Sequence, residues 1–193
     1  MKTSLIVFAI AVLTFISGCD QPAEPEIQNN NFEDISKDGG ITSDAALLNF
    51  VAVLSGSQEV PPVETRARGT AVFQLNADGT ELSYKLVCAN IRNISQAHIH
   101  VAAAGVNGPV VAWLYPSGPP SVLIPGIFNG VLAEGTITAA NLVGPLAGLT
   151  LNDLLDAVKA GNAYANIHTT QNPGGEIRGQ IAFGNGMVPV NVE

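Results

Sequence analysis

The chain carries three histidines, and their spacing is its clearest chemical signal. His98 and His100 lie two residues apart in the run Gln96-Ala97-His98-Ile99-His100-Val101. Residues at that spacing on a strand project from one face, with Cα atoms about 6.5–7 Å apart, so two imidazoles can converge on one ion. His168 lies in a second run, AYANIHTTQNPGGEIRGQIAF at 163 to 183. Brought in from a neighbouring strand, it completes a three-histidine set with an open position, which suits copper or zinc. The second run reads as two strands around a Pro-Gly-Gly turn. Asn166 and His168 share one face of the first; Glu176, Arg178 and Gln180 share one face of the second. Asn166 and Glu176 are suited to orient ring nitrogens behind the metal. Arg178 would repel a cation but is suited to hold an anion or a carboxylate. The same residues also read as a polar face that locks two strands together, with Glu176 and Arg178 as a plain ion pair worth about 0–1 kcal/mol if exposed. No nucleophile–base pair or carboxylate dyad occurs at readable spacing, so no residue is assigned a catalytic role.

The elements that must position these residues are strands. Ala165, Ile167, Ile177, Ile181 and Phe183 alternate with the polar set and are expected in the core. Short alternating segments recur from Leu47 onward, with turn signals between them. Phe50, Ala52 and Leu54 form one. Ala71, Phe73 and Leu75, then an Asn-Ala-Asp-Gly turn, then Leu82, Tyr84, Leu86 and Cys88 predict a hairpin over residues 69 to 89. Further strands are expected over 97 to 101 and 110 to 115, with one or two more within 122 to 137. Leu151, Leu154, Leu155 and Val158 fall at helical spacing, Thr150 or Asn152 can cap the start, and Gly161 stops it. A short helical turn is also expected near Thr138. The prolines of Gln58–Val63 keep that segment out of a central strand and make it a rigid lid at one end. The architecture that fits is all-β: an antiparallel, immunoglobulin-like two-sheet sandwich with one short inserted helix.

The first 18 residues read as a targeting segment. Lys2 precedes an apolar run from Leu5 to Ile16, too short to span a bilayer comfortably. Ile16-Ser17-Gly18-Cys19 is similar to a bacterial lipobox, in which the cysteine is acylated and becomes the first mature residue. An acylated Cys19 would hold the protein on a membrane surface. Residues 19 to 44 are polar, acidic and poor in large apolar side chains, which predicts a disordered tether. Residues 45 to 193 then form one domain. Of the formal charge of −8, most belongs to the tether. No basic patch or aromatic interleaving points to nucleic acid. With Cys19 acylated, Cys88 has no disulfide partner, and its place in step with Leu82, Tyr84 and Leu86 makes it a buried apolar residue.

Taken together, SGSQEVPPV at 55 to 63, RGTAVFQLNADGTELSY at 68 to 84, AHIH at 97 to 100, NGPVV at 107 to 111 and YANIHTTQNPGGEIRGQI at 164 to 181 resemble the CHRD domain, first recognised in chordin and widespread in bacterial secreted proteins. The resemblance runs from about Leu47 to Phe183 and implies an extracytoplasmic β-sandwich. A more distant likeness is to the Cu,Zn superoxide dismutase sandwich, with His98, His100, His168 and Arg178 at the matching positions. No histidine remains to bridge a second metal, no zinc loop is visible, and the intrasubunit disulfide is impossible. These departures count against a dismutase.

Three functions are compatible with these residues, in descending order. The first is a lipid-anchored binding module of the bacterial cell envelope, periplasmic or surface-exposed, that presents its sandwich to a protein partner or to another copy of itself. The second is a copper- or zinc-binding protein using His98, His100 and His168. The third is a redox enzyme at the same site.

Overall fold

The computed structural model describes residues 48–184. The targeting segment, Cys19 and the tether lie outside the described residues, as do residues 185–193. Among the described residues eight strands and one α-helix occur in order: β1 (Asn49–Ser55), β2 (Arg68–Leu75), β3 (Leu82–Val101), β4 (Val110–Tyr115), β5 (Ile124–Ile137), α1 (Leu151–Lys159), β6 (Ala163–Thr169), β7 (Ile177–Gln180) and β8 (Ala182–Phe183). Every strand pairing is antiparallel. The fold is therefore all-β with one helix, as the alternation predicts.

The hydrogen-bonded ladder runs β2–β1–β7–β6–β3–β4, and β3 pairs with β2 as well, so the circuit closes. The expected hairpin of residues 69 to 89 is present as β2 and the first half of β3. Its second strand does not stop at Cys88, however. The segments read separately as 82 to 88 and 97 to 101 are one strand of 20 residues. Two asparagines explain the continuity. Asn90 and Asn93 adopt φ of 57° and 52°, a left-handed conformation that asparagine tolerates better than most side chains. The ladder to β5 shifts register between Cys88 and Ile91 and again between Arg92 and Ile94. Bulges of this kind bend a strand without ending it.

These irregularities also change which residues face inward. Leu82, Tyr84, Leu86 and Cys88, all even-numbered, are buried in the first half of β3. Beyond the bulges the apolar residues of the core are Ala97 and Ile99, odd-numbered. Had the strand kept its initial phase, His98 and His100 would point into hydrocarbon. The change of phase turns them to the opposite face.

Helix α1 buries Leu151, Leu154, Leu155 and Val158. Thr150 and Asp153 close a capping box at its start, with Thr150 N–H donating to Asp153 Oδ2 at 2.8 Å. Such a cap contributes about 1 kcal/mol. The segment 122 to 137 is one strand, β5, and the turn after Thr138 is a single 3-10 turn over Ala139–Asn141. Cys88 is buried and free, and burial pushes its thiol up to about 12, so it behaves as a small apolar residue.

Candidate metal centre

Strand β6 is buried along its whole length, which half-solvated antiparallel strands are not. Ala163, Ala165 and Ile167 face the apolar core. Tyr164, Asn166 and His168 face the other way and are nonetheless buried. Register places this second face in rows across four strands. Trp113 of β4 lies opposite His98 of β3, His98 opposite Asn166 of β6, and Asn166 opposite Arg178 of β7. His100 lies opposite Tyr164, and Gln96 opposite His168. The three histidines thus meet because β3 and β6 pair.

All three imidazoles are buried, with 2%, 7% and 5% exposure for His98, His100 and His168. One ligand nitrogen from each lies within 4.8 Å of the others. His98 Nδ1 is 3.1 Å from His168 Nε2. This contact is a hydrogen bond between the two rings. His100 Nδ1 donates to Gly108 O and His168 Nδ1 to Pro173 O, each at 2.9 Å. A carbonyl can only accept, so both rings carry their proton on Nδ1 and their lone pair on Nε2; that of His168 accepts from His98 Nδ1, which leaves the His98 lone pair on Nε2 as well. Outer hydrogen bonds of this type fix metal-binding histidines. The buried Nε2 atoms of His98 and His100 have no hydrogen-bond partner in the protein. A buried polar atom left unpaired costs about 1–3 kcal/mol, a cost that a bound ion removes.

Burial keeps the cluster neutral. It lowers His98 to about 3, helped by the neighbouring His168 and His100, and lowers His168 to about 4 against the opposing bond to Pro173 O. Burial lowers His100 as well. Neutral imidazole is the form that binds a metal. Aromatic rings flank the set: Trp113 meets His98 edge-on with centroids 4.4 Å apart, and Tyr164 stacks on His100 at 4.8 Å.

Two loops cover this face. Residues 102 to 109 supply the Gly108 carbonyl, and the Gly108 N–H donates to the Tyr164 hydroxyl at 3.2 Å. A Cβ at position 108 would lie 2.1 Å from Val101 O, so only glycine brings the loop this close. The loop after β1 supplies Glu59, whose Oε2 accepts from Arg178 Nε at 2.8 Å. Arg178 also donates through Nη1 to Val106 O at 3.1 Å and through Nη2 to Asn107 Oδ1. Asn107 Nδ2 in turn donates to Val60 O at 2.8 Å, tying one loop to the other. Burial raises the pKa of the Glu59 carboxyl from its ordinary value, and Arg178 opposes the shift. The Gln58–Val63 segment is thus part of the cover, anchored by a buried ion pair.

The polar residues expected around the histidines take different roles. Glu176 reaches no ring nitrogen and does not pair with Arg178. It precedes β7 and accepts from Thr65, Thr169, Gln171 and Asn172, which makes it the anchor of the turn. All three guanidinium nitrogens of Arg178 are engaged by protein acceptors, so it serves the cover rather than an incoming anion. Asn166 does sit in the cluster row, with its Oδ1 buried and unpartnered. Glu59, Asn107, Gly108, Trp113 and Pro173 join the site without having been singled out by spacing. A charge argument signals the first of them: a buried arginine needs a buried carboxylate, and Glu59 lies in a loop held rigid by prolines.

Fold and site together define an antiparallel β-domain with a buried three-histidine cluster under two loops. The CHRD domain model matches residues 50–181, and the chain belongs to that family. The matched stretch contains all three histidines together with Glu59 and Arg178. No curated protein matches the chain. Membership makes this an extracellular-type β-domain of the binding-module kind. No helix among the described residues is long and apolar enough to cross a membrane.

Proposed function

We propose that the chain is a CHRD domain, anchored in the bacterial cell envelope through acylated Cys19, that captures one copper or zinc ion with His98, His100 and His168. The observation that carries this reading is the buried nitrogen set: three neutral imidazoles with one nitrogen from each within 4.8 Å, two of them locked by carbonyls so that the lone pair lies on Nε2. The acidic tether of residues 19 to 44 would lift the domain clear of the lipid.

A copper and zinc titration of the detergent-solubilised full chain, followed by dialysis and metal analysis, tests it. One retained ion per chain is expected, and His98→Ala, His100→Ala or His168→Ala should lose it. No retained ion, with the variants only less stable, would leave the histidines as structural. The anchor is tested separately: Cys19→Ala should move the protein from the membrane to the soluble fraction.

A second reading, a module that presents its sheet to a protein partner or to another copy, draws on a different face. Val53, Thr70, Val87 and Val131 are consecutive cross-strand neighbours on β1, β2, β3 and β5. The three valines are 62%, 37% and 45% exposed. Val53→Lys and Val87→Lys should abolish any self-association seen by analytical ultracentrifugation without affecting metal retention.

A further inference from the structure

The charge of the proposed site discriminates between ions, a selectivity that rests on the metal-binding reading of the three histidines. Among the described residues the cluster consists of His98, His100 and His168, with no carboxylate or thiolate in the set. The two buried acids of the surrounding shell are committed elsewhere. Glu59 holds Arg178 through Oε2, with Oε1 unpartnered and outside the histidine set, and Glu176 is bound to Thr65, Thr169, Gln171 and Asn172. Trp113 and Tyr164 flank the rings instead, and the Arg178 guanidinium carbon lies 4.2 Å from the centroid of Tyr164. An ion that enters therefore keeps its whole charge in a buried place close to a fixed cation.

Two effects then favour the smaller charge. The Born cost of burying an ion scales with the square of its charge, so a divalent ion is penalised about four times as heavily as a monovalent one. Repulsion from Arg178 doubles for the divalent ion. Glu59 offsets much of that repulsion, which leaves the lack of an anionic ligand as the larger effect. Coordination number points the same way. Zinc(II) completes a tetrahedron with a fourth ligand, and copper(II) favours tetragonal sites. Copper(I) is a closed-shell monovalent ion and is satisfied by three nitrogens. Copper(II) heads the divalent ions on nitrogen ligands, so the contest is between the two oxidation states of copper.

We infer that the His98–His100–His168 site holds copper as the monovalent ion, binding copper(I) in preference to copper(II) and zinc(II). The test uses the full chain in detergent, under argon. Copper(I) is supplied as its bicinchoninate complex with ascorbate, copper(II) is titrated against glycine, and zinc(II) is added as a competitor. Fluorescence of Trp113, the sole tryptophan, reports occupancy. The expected result is a copper(I) Kd at least tenfold below the copper(II) Kd. This corresponds to a copper midpoint raised by at least about 59 mV over the free couple. X-ray absorption of the copper-loaded wild type should show a reduced, three-coordinate ion and needs no variant.

Asn166→Asp is nearly isosteric and adds an anion to the row that holds His98. It should shrink the copper(II)-to-copper(I) ratio of Kd values at least threefold. An unchanged ratio would overturn the charge argument. Copper(II) bound as tightly as copper(I), or zinc displacing copper(I), would overturn the inference while leaving metal capture standing. Retention of neither metal would overturn both.

Discussion

The two halves of β3 share one backbone and differ in what covers them. Between Leu82 and Cys88 buried and exposed residues alternate strictly, with Ser83, Lys85 and Val87 open to solvent. Between Ala97 and His100 every residue is buried. The first half has a core on one side and water on the other. The second has the same core on one side, and on the other a polar chamber closed by residues 56 to 65 and 102 to 109. A sheet face that water solvates needs nothing further; a polar face under loops must satisfy its own hydrogen bonds. In the covered half most of them are satisfied by Glu59, Asn107, Gly108 and Pro173. The Nε2 atoms of His98 and His100 stay unpartnered, as do Asn166 Oδ1 and Glu59 Oε1, and the metal reading proposed above places its ion at the two rings.

The sharpest way to break this comparison is to cut an ion pair in each half. Arg178→Met leaves the buried Glu59 carboxyl without its partner, and should cost about 3–5 kcal/mol in urea unfolding. Gly108→Ala pushes the loop off Val101 and withdraws the carbonyl that holds His100. Metal affinity should fall about 10–100-fold, the range for loss of an outer-sphere partner. Acid acts on the metal-free chain gradually, one pH unit at a time. The histidines titrate near 6.5 when unfolded, but His98 and His168 lie near 3 and 4 in the fold. Below pH 6.5 the unfolded chain therefore binds more protons, and the stability present above that pH is lost progressively towards pH 4 and 3. The slope should reach no more than about 1.4 kcal/mol per pH unit for each histidine, and His168→Leu should remove one share. In the open half, Lys85→Met cuts the Lys85–Glu134 pair, whose side chains are 49% and 65% exposed. It should change stability by less than about 0.5 kcal/mol. Equal costs for Arg178→Met and Lys85→Met would erase the distinction between the halves.

Alternation made β1, β2 and β6 legible, and helical spacing made α1 legible, because each keeps one period from end to end. It also made His98, His100 and His168 legible as a set, since three histidines on two alternating segments leave few alternatives. The continuity of β3 was not legible. Asn90 and Asn93 look like turn residues, and nothing local distinguishes an asparagine that ends a strand from one that bends it. The partners of the charged residues were also hidden. Glu176 and Arg178 are two apart and pair most simply with each other. Yet Glu176 lies in the turn before β7 begins, and Arg178 is met by Glu59, 119 positions away in sequence. Alternation describes the strand a residue sits on; it says nothing about the loop that folds over it.

The 70 positions between His98 and His168 bear on when the site comes into being. A nascent or unfolded chain holds at most the His98–His100 pair. The third nitrogen arrives only when β6 zips against β3, a non-local step of the kind that comes slowly in β-rich domains. An ion therefore meets a complete site only on the finished fold. On the metal-binding reading proposed above, the site would choose among the ions of the compartment where folding ends, rather than those where translation began.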